Sequence, residues 1–474
     1  MLLRHSVSYL LARGIPGIIN FLALAVYTRL LAPEEYGHYT LAITVVSLAN
    51  VIFWQWLRLG LLRFLAGLEN RQQAFLSTLA VAFLSLVVVS ACLFGFVITL
   101  WPGQVWLGFS ALALVLLWMQ AWFELNLELA RSRLSPVLYG GLASSKAVIA
   151  ISSGALLAYL GFGALGVLAG ILVGLALPAM WMTWRVWRVV RLHLADKQII
   201  KQLARYGLPL TATFALGFVV SSSDRLLIGW LMDARATGLY AVGYDLSAQT
   251  LGMLMSIINL AAYPMVVRKL EQESEAAARH QLQSSATLML IVALPVMAVW
   301  ILLAPNVASV VVDKAYVETA TQLMPIIALS TLISGFQCFH FDLAFQLGKR
   351  TVQQVWVMLA AAGMNVVLNL LWIPRFGLEG AAYATLAAYS TALLCSWTLG
   401  RQVFAMPMPR YGLKIVIAVA AMAAVIWPMM AWRGAWALSL QAIAAATTYA
   451  GALILLDVGG VQGRLSARLP GFYR

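Results

Sequence analysis

Four basic side chains stand inside or at the rim of long apolar runs: Arg13, Arg63, Lys146 and Arg225. A cation in hydrocarbon is costly, so such a residue usually faces a water-filled cavity or a partner. An arginine fork holds two oxygens of a phosphate at once, and a lysine acts as a compact point charge. Together the four could line a cationic cavity that binds an anion. Each also has a plainer reading. Arg63 could anchor a helix at the membrane surface. Arg13 could snorkel to that surface. Arg225 follows Asp224, but neighbours on a helix point about 100° apart, so Asp245 is the better ion-pair partner. Lys146 sits too deep in its run to snorkel.

Acidic residues in apolar runs are fewer. Asp342, with His340 two residues before it, could take up a coupling ion, and Asp224 is a second candidate. The plainer reading pairs Asp342 with Lys349 or Arg350. Glu124 and Glu128 form an i,i+4 pair that should meet Arg131 or Arg133. Trp54, Trp56, Trp118 and Trp122 suit interfacial anchoring, with stacking on sugar faces as the alternative. The five histidines are scattered and Cys92, Cys338 and Cys395 lie in apolar runs, so no metal site or disulfide framework is expected. No Gly-Lys-Ser/Thr phosphate loop is present, and no large loop could carry an enzyme's acid and base. The chain therefore reads as a non-enzyme without a cofactor.

The elements that must position these residues follow from composition. The chain has 474 residues, 62% of them apolar and 10% charged, and a mean hydropathy of +0.88. A water-facing surface needs far more charge. A spanning helix needs about 20 apolar residues, and the runs predict fourteen: 5–28, 37–62, 75–99, 105–127, 137–160, 163–184, 206–231, 237–266, 284–304, 319–346, 351–373, 378–400, 411–430 and 434–456. Lys and Arg concentrate in alternate connections, 23 against 5, which predicts cytoplasmic N and C termini. That placement accounts for the net charge of +14 without nucleic acid.

The two halves echo each other. Leu11-Ala12-Arg13 with Pro16 resembles Leu203-Ala204-Arg205 with Pro209. Glu35-Tyr36-Gly37-His38-Tyr39 resembles Ala236-Thr237-Gly238-Leu239-Tyr240, and Phe162-Gly163-Ala164-Leu165-Gly166 resembles Phe376-Gly377-Leu378-Glu379-Gly380. Six helices per copy is an even number, so both copies face the same way and imply a pseudo-twofold axis along the membrane normal. The expected fold is an all-α polytopic membrane protein. Two six-helix lobes, 1–184 and 206–400, surround a central cavity. A basic cytoplasmic linker, 185–205, joins them, and 401–474 adds two extra C-terminal helices and a basic tail.

The run Tyr27-Thr28-Arg29-Leu30-Leu31-Ala32-Pro33-Glu34-Glu35-Tyr36-Gly37 and the segment Ile373-Pro374-Arg375-Phe376-Gly377-Leu378-Glu379-Gly380-Ala381-Ala382-Tyr383-Ala384-Thr385, preceded by Asn369, resemble the multidrug/oligosaccharidyl-lipid/polysaccharide exporter superfamily. More narrowly they resemble its polysaccharide-transporter branch, the Wzx-type oligosaccharide flippases. The resemblance spans essentially the whole chain. It implies a bacterial inner-membrane flippase that moves an undecaprenyl-pyrophosphate-linked oligosaccharide between leaflets by alternating access. It also implies membrane lipid as a partner, and a polysaccharide polymerase and chain-length regulator nearby. A lipid II flippase and a multidrug exporter of the same superfamily are the alternatives.

Overall fold

The computed structural model describes residues 2–65, 71–100, 107–133 and 135–459. Helices dominate. In chain order they are α1 (Leu2–Leu30), α2 (Pro33–Phe64), α3 (Gln72–Leu100), α4 (Leu107–Ser132), α5 (Pro136–Leu157), α6 (Gly163–Val186), α7 (Lys197–Leu231), α8 (Ala234–Gln272), α9 (Glu275–Leu302), α10 (Ala304–Val311), α11 (Lys314–Phe336), α12 (Leu343–Leu347), α13 (Thr351–Gly400), α14 (Gly412–Ile426) and α15 (Ala435–Leu455). Among the described residues, 11 helical runs are long and apolar enough to cross a membrane.

Two of those runs, Val137–Val186 and Thr351–Gly400, are 50 residues long, and each is a hairpin. Gly161 breaks the first with φ 92°. Gly377 breaks the second with φ 58° and ψ −137°, a combination open essentially to glycine alone. A straight α13 would set Gln354 and Ser396 about 63 Å apart, yet both reach the same carboxylate. With these two runs counted as pairs and α1 added, the helices are compatible with the fourteen expected crossings.

The described chain forms two compact units, 1–241 and 242–474. In the first, α5 and α6 close on a glycine seam. A Cβ at Gly166 would press on Leu157, one at Gly170 would overlap Gly154, and one at Gly174 would lie 2.7 Å from the Ala150 Cβ. Small residues at i, i+4 and i+8 let backbones approach in this way where no water drives the helices together. The Tyr27 hydroxyl then ties α1 to the Ala150 carbonyl at 3.1 Å. The apolar core behind the seam uses Leu57, Leu61, Phe75, Leu79, Leu116 and Leu168. Trp54 and Trp56 are buried in this core. Trp118 and Trp122 pack against it and donate to Ser90 Oγ at 3.0 Å and Thr183 Oγ1 at 2.7 Å. Neighbouring hydroxyls thus satisfy the N–H groups of Trp118 and Trp122 inside the unit.

Helix α7 begins at Lys197, inside the stretch expected to be linker, and Asp196 caps it by accepting from Gln198 N at 2.7 Å. It runs antiparallel along α2, with Gly60 against Leu203, Gly207 against Trp56 and Gly229 against Leu41. The first compact unit includes α7 and ends in α8.

In the second unit, the two C-terminal helices are held by buried amides. Asn306 on α10 donates to Gln441 Oε1 on α15 at 2.7 Å and accepts from Gly434 N at 2.8 Å. Tyr449 donates to the Ile291 carbonyl of α9 at 2.8 Å. The expected span 319–346 lies within one helical run, Lys314–Leu347. A π-helical turn, Gln337–Phe341, separates α11 from α12, and such turns are rare and gather at functional sites.

Candidate functional site

Polar side chains enter the first unit on α2, α4 and α5. Glu124 of α4 is the hub. It accepts from Asn50 Nδ2 at 2.8 Å and from Gln120 Nε2 at 2.9 Å, and it forms an ion pair with Arg58. Arg58 also donates to Gln55. Asn50, Trp54 and Arg58 recur at i, i+4 and i+8, so one stripe of α2 faces α4. Asn50 Oδ1, Trp54 Nε1 and Arg58 Nε on that stripe are buried without hydrogen-bond partners. Such orphaned polar atoms mark places where water or a ligand completes the bonding.

Lys146 of α5 approaches the neighbouring residue of α4. Its Nζ lies 5.5 Å from the centre of the Phe123 ring, within cation–π range. Among the described residues, Lys146 has no carboxylate partner. One segment of α4, Gln120 to Glu124, therefore separates the lysine from the Arg58 pair.

The other sequence-predicted cations sit elsewhere. Arg63 is exposed at the end of α2. Arg13 lies on α1 with its side chain outside the described residues. Arg225 is 8% exposed and makes an ion pair with adjacent Asp224 at 3.6 Å. The flexible guanidinium curls back along α7 and also donates to the Ser221 carbonyl at 3.1 Å, which overcomes the divergence of the two Cα–Cβ directions. Asp224 in turn accepts from Tyr240 at 2.6 Å. Glu128 meets Arg131 at 3.3 Å, as expected, whereas Glu124 turns to Arg58. Arg58 falls within the expected span 37–62 but is not singled out among the membrane cations. The four-residue spacing of Asn50, Trp54 and Arg58 was the available signal of a buried stripe.

In the second unit, Asp342 follows the π turn and is 1% exposed. Gln337 and Gln354 donate to its Oδ2 at 2.6 and 3.1 Å, and Ser396 donates to its Oδ1 at 2.6 Å. The expected pairing with Lys349 or Arg350 does not form, because both cations lie on an exposed turn. Deeper in the α13 hairpin, Asn369 donates to Asn365 at 3.0 Å, while Asn369 Oδ1 and Thr385 Oγ1 are buried without a partner. Among the described residues, no group of three or more His, Cys, Asp or Glu could hold a metal ion.

Buried polar hubs inside apolar helical bundles, with no soluble domain among the described residues, define a polytopic membrane transporter fold. The sequence pattern of the polysaccharide biosynthesis protein family matches residues 26–321. The chain belongs to that family. It is 25% identical over 169 residues to the amylovoran biosynthesis protein AmsL of Erwinia amylovora, a match that covers 36% of this chain and 43% of AmsL. The match thus spans less than half of that relative. Among solved structures, the lipid II flippase MurJ in an inward closed conformation superposes with a TM-score of 0.69 at 14% identity, covering 95% of this chain and 99% of MurJ. The multidrug transporter DinF-BH gives 0.57 at 17% identity over 85% of this chain and 96% of its own. These likenesses establish the fold of transporters and flippases.

Proposed function

We propose that the protein is a flippase that carries an anionic, undecaprenyl-pyrophosphate-linked oligosaccharide from the cytoplasmic to the periplasmic leaflet of a bacterial inner membrane, by alternating access, during surface-polysaccharide synthesis. The observation that carries the reading is Lys146, a basic side chain deep in a membrane-spanning helix with no counter-charge among the described residues. An unneutralised cation in such a place suits an anionic cargo and works against the organic cations that multidrug exporters take. Arg13, Arg63 and Arg225 complete the proposed cationic path, with Arg225 released to the cargo only if its bond to Asp224 opens. Family membership supports the polysaccharide assignment. A cleft of about 700 Å³ between α5 and α6, lined by Leu138, Leu142, Leu177, Trp181 and Arg185, is apolar with a basic rim and suits the lipid portion. A polymerase and chain-length regulator would receive the product.

The test is export of surface polysaccharide in cells that depend on this protein, with protein level controlled. Lys146→Ala and Lys146→Gln should lower export about tenfold or more, the size expected when a charged hydrogen bond is removed. Lys146→Arg should retain it. Full export by Lys146→Ala, alone and combined with Arg13→Ala and Arg225→Ala, would overturn the reading. Purified protein that moves lipid II and ignores the polysaccharide precursor would replace it with the peptidoglycan alternative.

A further inference from the structure

We infer that Asp342 is a proton-binding site and supplies the coupling step of transport. Its carboxylate is 1% exposed and is gathered by three separate pieces of chain: Gln337 from the π turn, Gln354 from the first half of α13 and Ser396 from the second. All three donors are neutral. An ionised carboxylate buried among apolar helices without a cation costs several kcal/mol, so the site is incomplete until one positive charge joins it.

The donor set selects which charge. A metal ion requires converging oxygen ligands. Here both carboxylate oxygens already face N–H or O–H groups. A proton on Oδ1 needs only one change, a rotation of the Ser396 hydroxyl so that it accepts from Asp342 rather than donating to it. No bond between heavy atoms breaks, and the proton returns to water on release.

The titratable neighbours leave this role to Asp342. Cys338 and His340 share its segment, and the His340 ring is engaged with the Pro407 carbonyl at 3.0 Å. From α13 the facing groups are the neutral Gln354 and Ser396, with Cys395 beside the latter. Lys349, Arg350 and Arg401 are exposed and make no ion pair with Asp342. The π turn lies directly before this carboxylate. It holds the carboxylate on a segment whose hydrogen-bond register can shift by one residue, and this would let protonation and helix geometry change together.

This inference rests on the transport reading only for what the proton drives; the site is testable without a cargo. The purified full chain in liposomes is titrated from acid to alkaline pH and followed by infrared difference spectroscopy, in sodium and in choline buffers. The wild type should show the carbonyl band of a buried carboxylic acid that disappears on deprotonation, with the same midpoint in both salts. Asp342→Asn should lack that band while keeping the amide hydrogen bonds, and Ser396→Ala should shift its midpoint. Thermal unfolding in detergent shows that each variant is folded, and Asp342→Glu replaces Asp342→Asn should the latter fail to assemble. A wild type without the band, or a band unchanged in Asp342→Asn, would overturn the inference. A midpoint that moves with sodium would assign the site to a metal cation instead. Loss of export in Lys146→Ala with an intact Asp342 band, or the reverse, separates this inference from the flippase reading.

Discussion

Gly37 and Gly238 face one another where α2 and α8 begin, and their contacts are reciprocal. A Cβ on Gly37 would overlap the Ala234 carbonyl oxygen, and a Cβ on Gly238 would overlap the Pro33 carbonyl oxygen. Pro33 and Gly37 differ from Ala234 and Gly238 by the same offset, 201 residues, that relates the two repeat segments. Equivalent positions of a repeat therefore meet in the manner of a twofold interface.

A methyl group should not be tolerated at either position. In an ordinary helix, Gly→Ala stabilises by about 0.5–1 kcal/mol. At Gly37 or Gly238 the overlap with backbone should dominate and cost about 1–3 kcal/mol. Gly37→Ala and Gly238→Ala should lower the unfolding temperature in detergent. Gly363→Ala, which meets nothing within 4 Å, should leave it unchanged or raise it.

The Arg58–Glu124 pair should reveal itself in a double-mutant cycle. Arg58→Met leaves a partly exposed carboxylate with only the neutral donors Asn50 and Gln120, at a cost of about 1–3 kcal/mol. Adding Glu124→Gln removes the charge and keeps an acceptor, so the double variant should recover most of that loss in urea unfolding. Additive losses would mean that the two groups do not share an energy.

Gly377 should resist every side chain. Its φ of 58° with ψ of −137° lies where L residues pay about 1–3 kcal/mol. Gly377→Ala should reduce the yield of folded protein in fluorescence-detected size-exclusion profiles, and no compensating change in neighbouring side chains should restore it.

Thr183 should matter through Trp122. Thr183→Val keeps the volume and removes the acceptor of the indole N–H, leaving a donor unpaired at about 1–3 kcal/mol. Thr183→Ser should retain the bond and most of the stability, as read from the unfolding temperature.

The apolar runs made the crossings legible because hydrocarbon demands length and composition more than any particular residue. The glycine motifs were legible as packing signals, and the structure puts Gly37 and Gly238 in direct opposition. Side-chain partnership was the illegible part. Arg58 lies near the end of an apolar run, and only the placement of α4 shows that Glu124 lies across from it. Arg225 points away from Asp224 on a helical projection, which ignores how far a guanidinium can bend. Asp342 was visible as an oddity, but two of its three neutral donors, Gln354 and Ser396, lie on opposite sides of the α13 turn, and no local spacing encodes such a meeting.

The α5–α6 turn has a bearing on how the protein is made. Its tip, from Leu157 to Ala164, contains no charged residue, and the two helices touch along the glycine seam directly below it. No charge at that tip would resist passage through the bilayer, and the exposed rings of Tyr159 and Phe162 suit the far interface once it arrives. The pair should therefore enter the membrane as one hairpin, its tip crossing while Arg131 and Arg133 before α5 and Arg185 at the end of α6 stay behind.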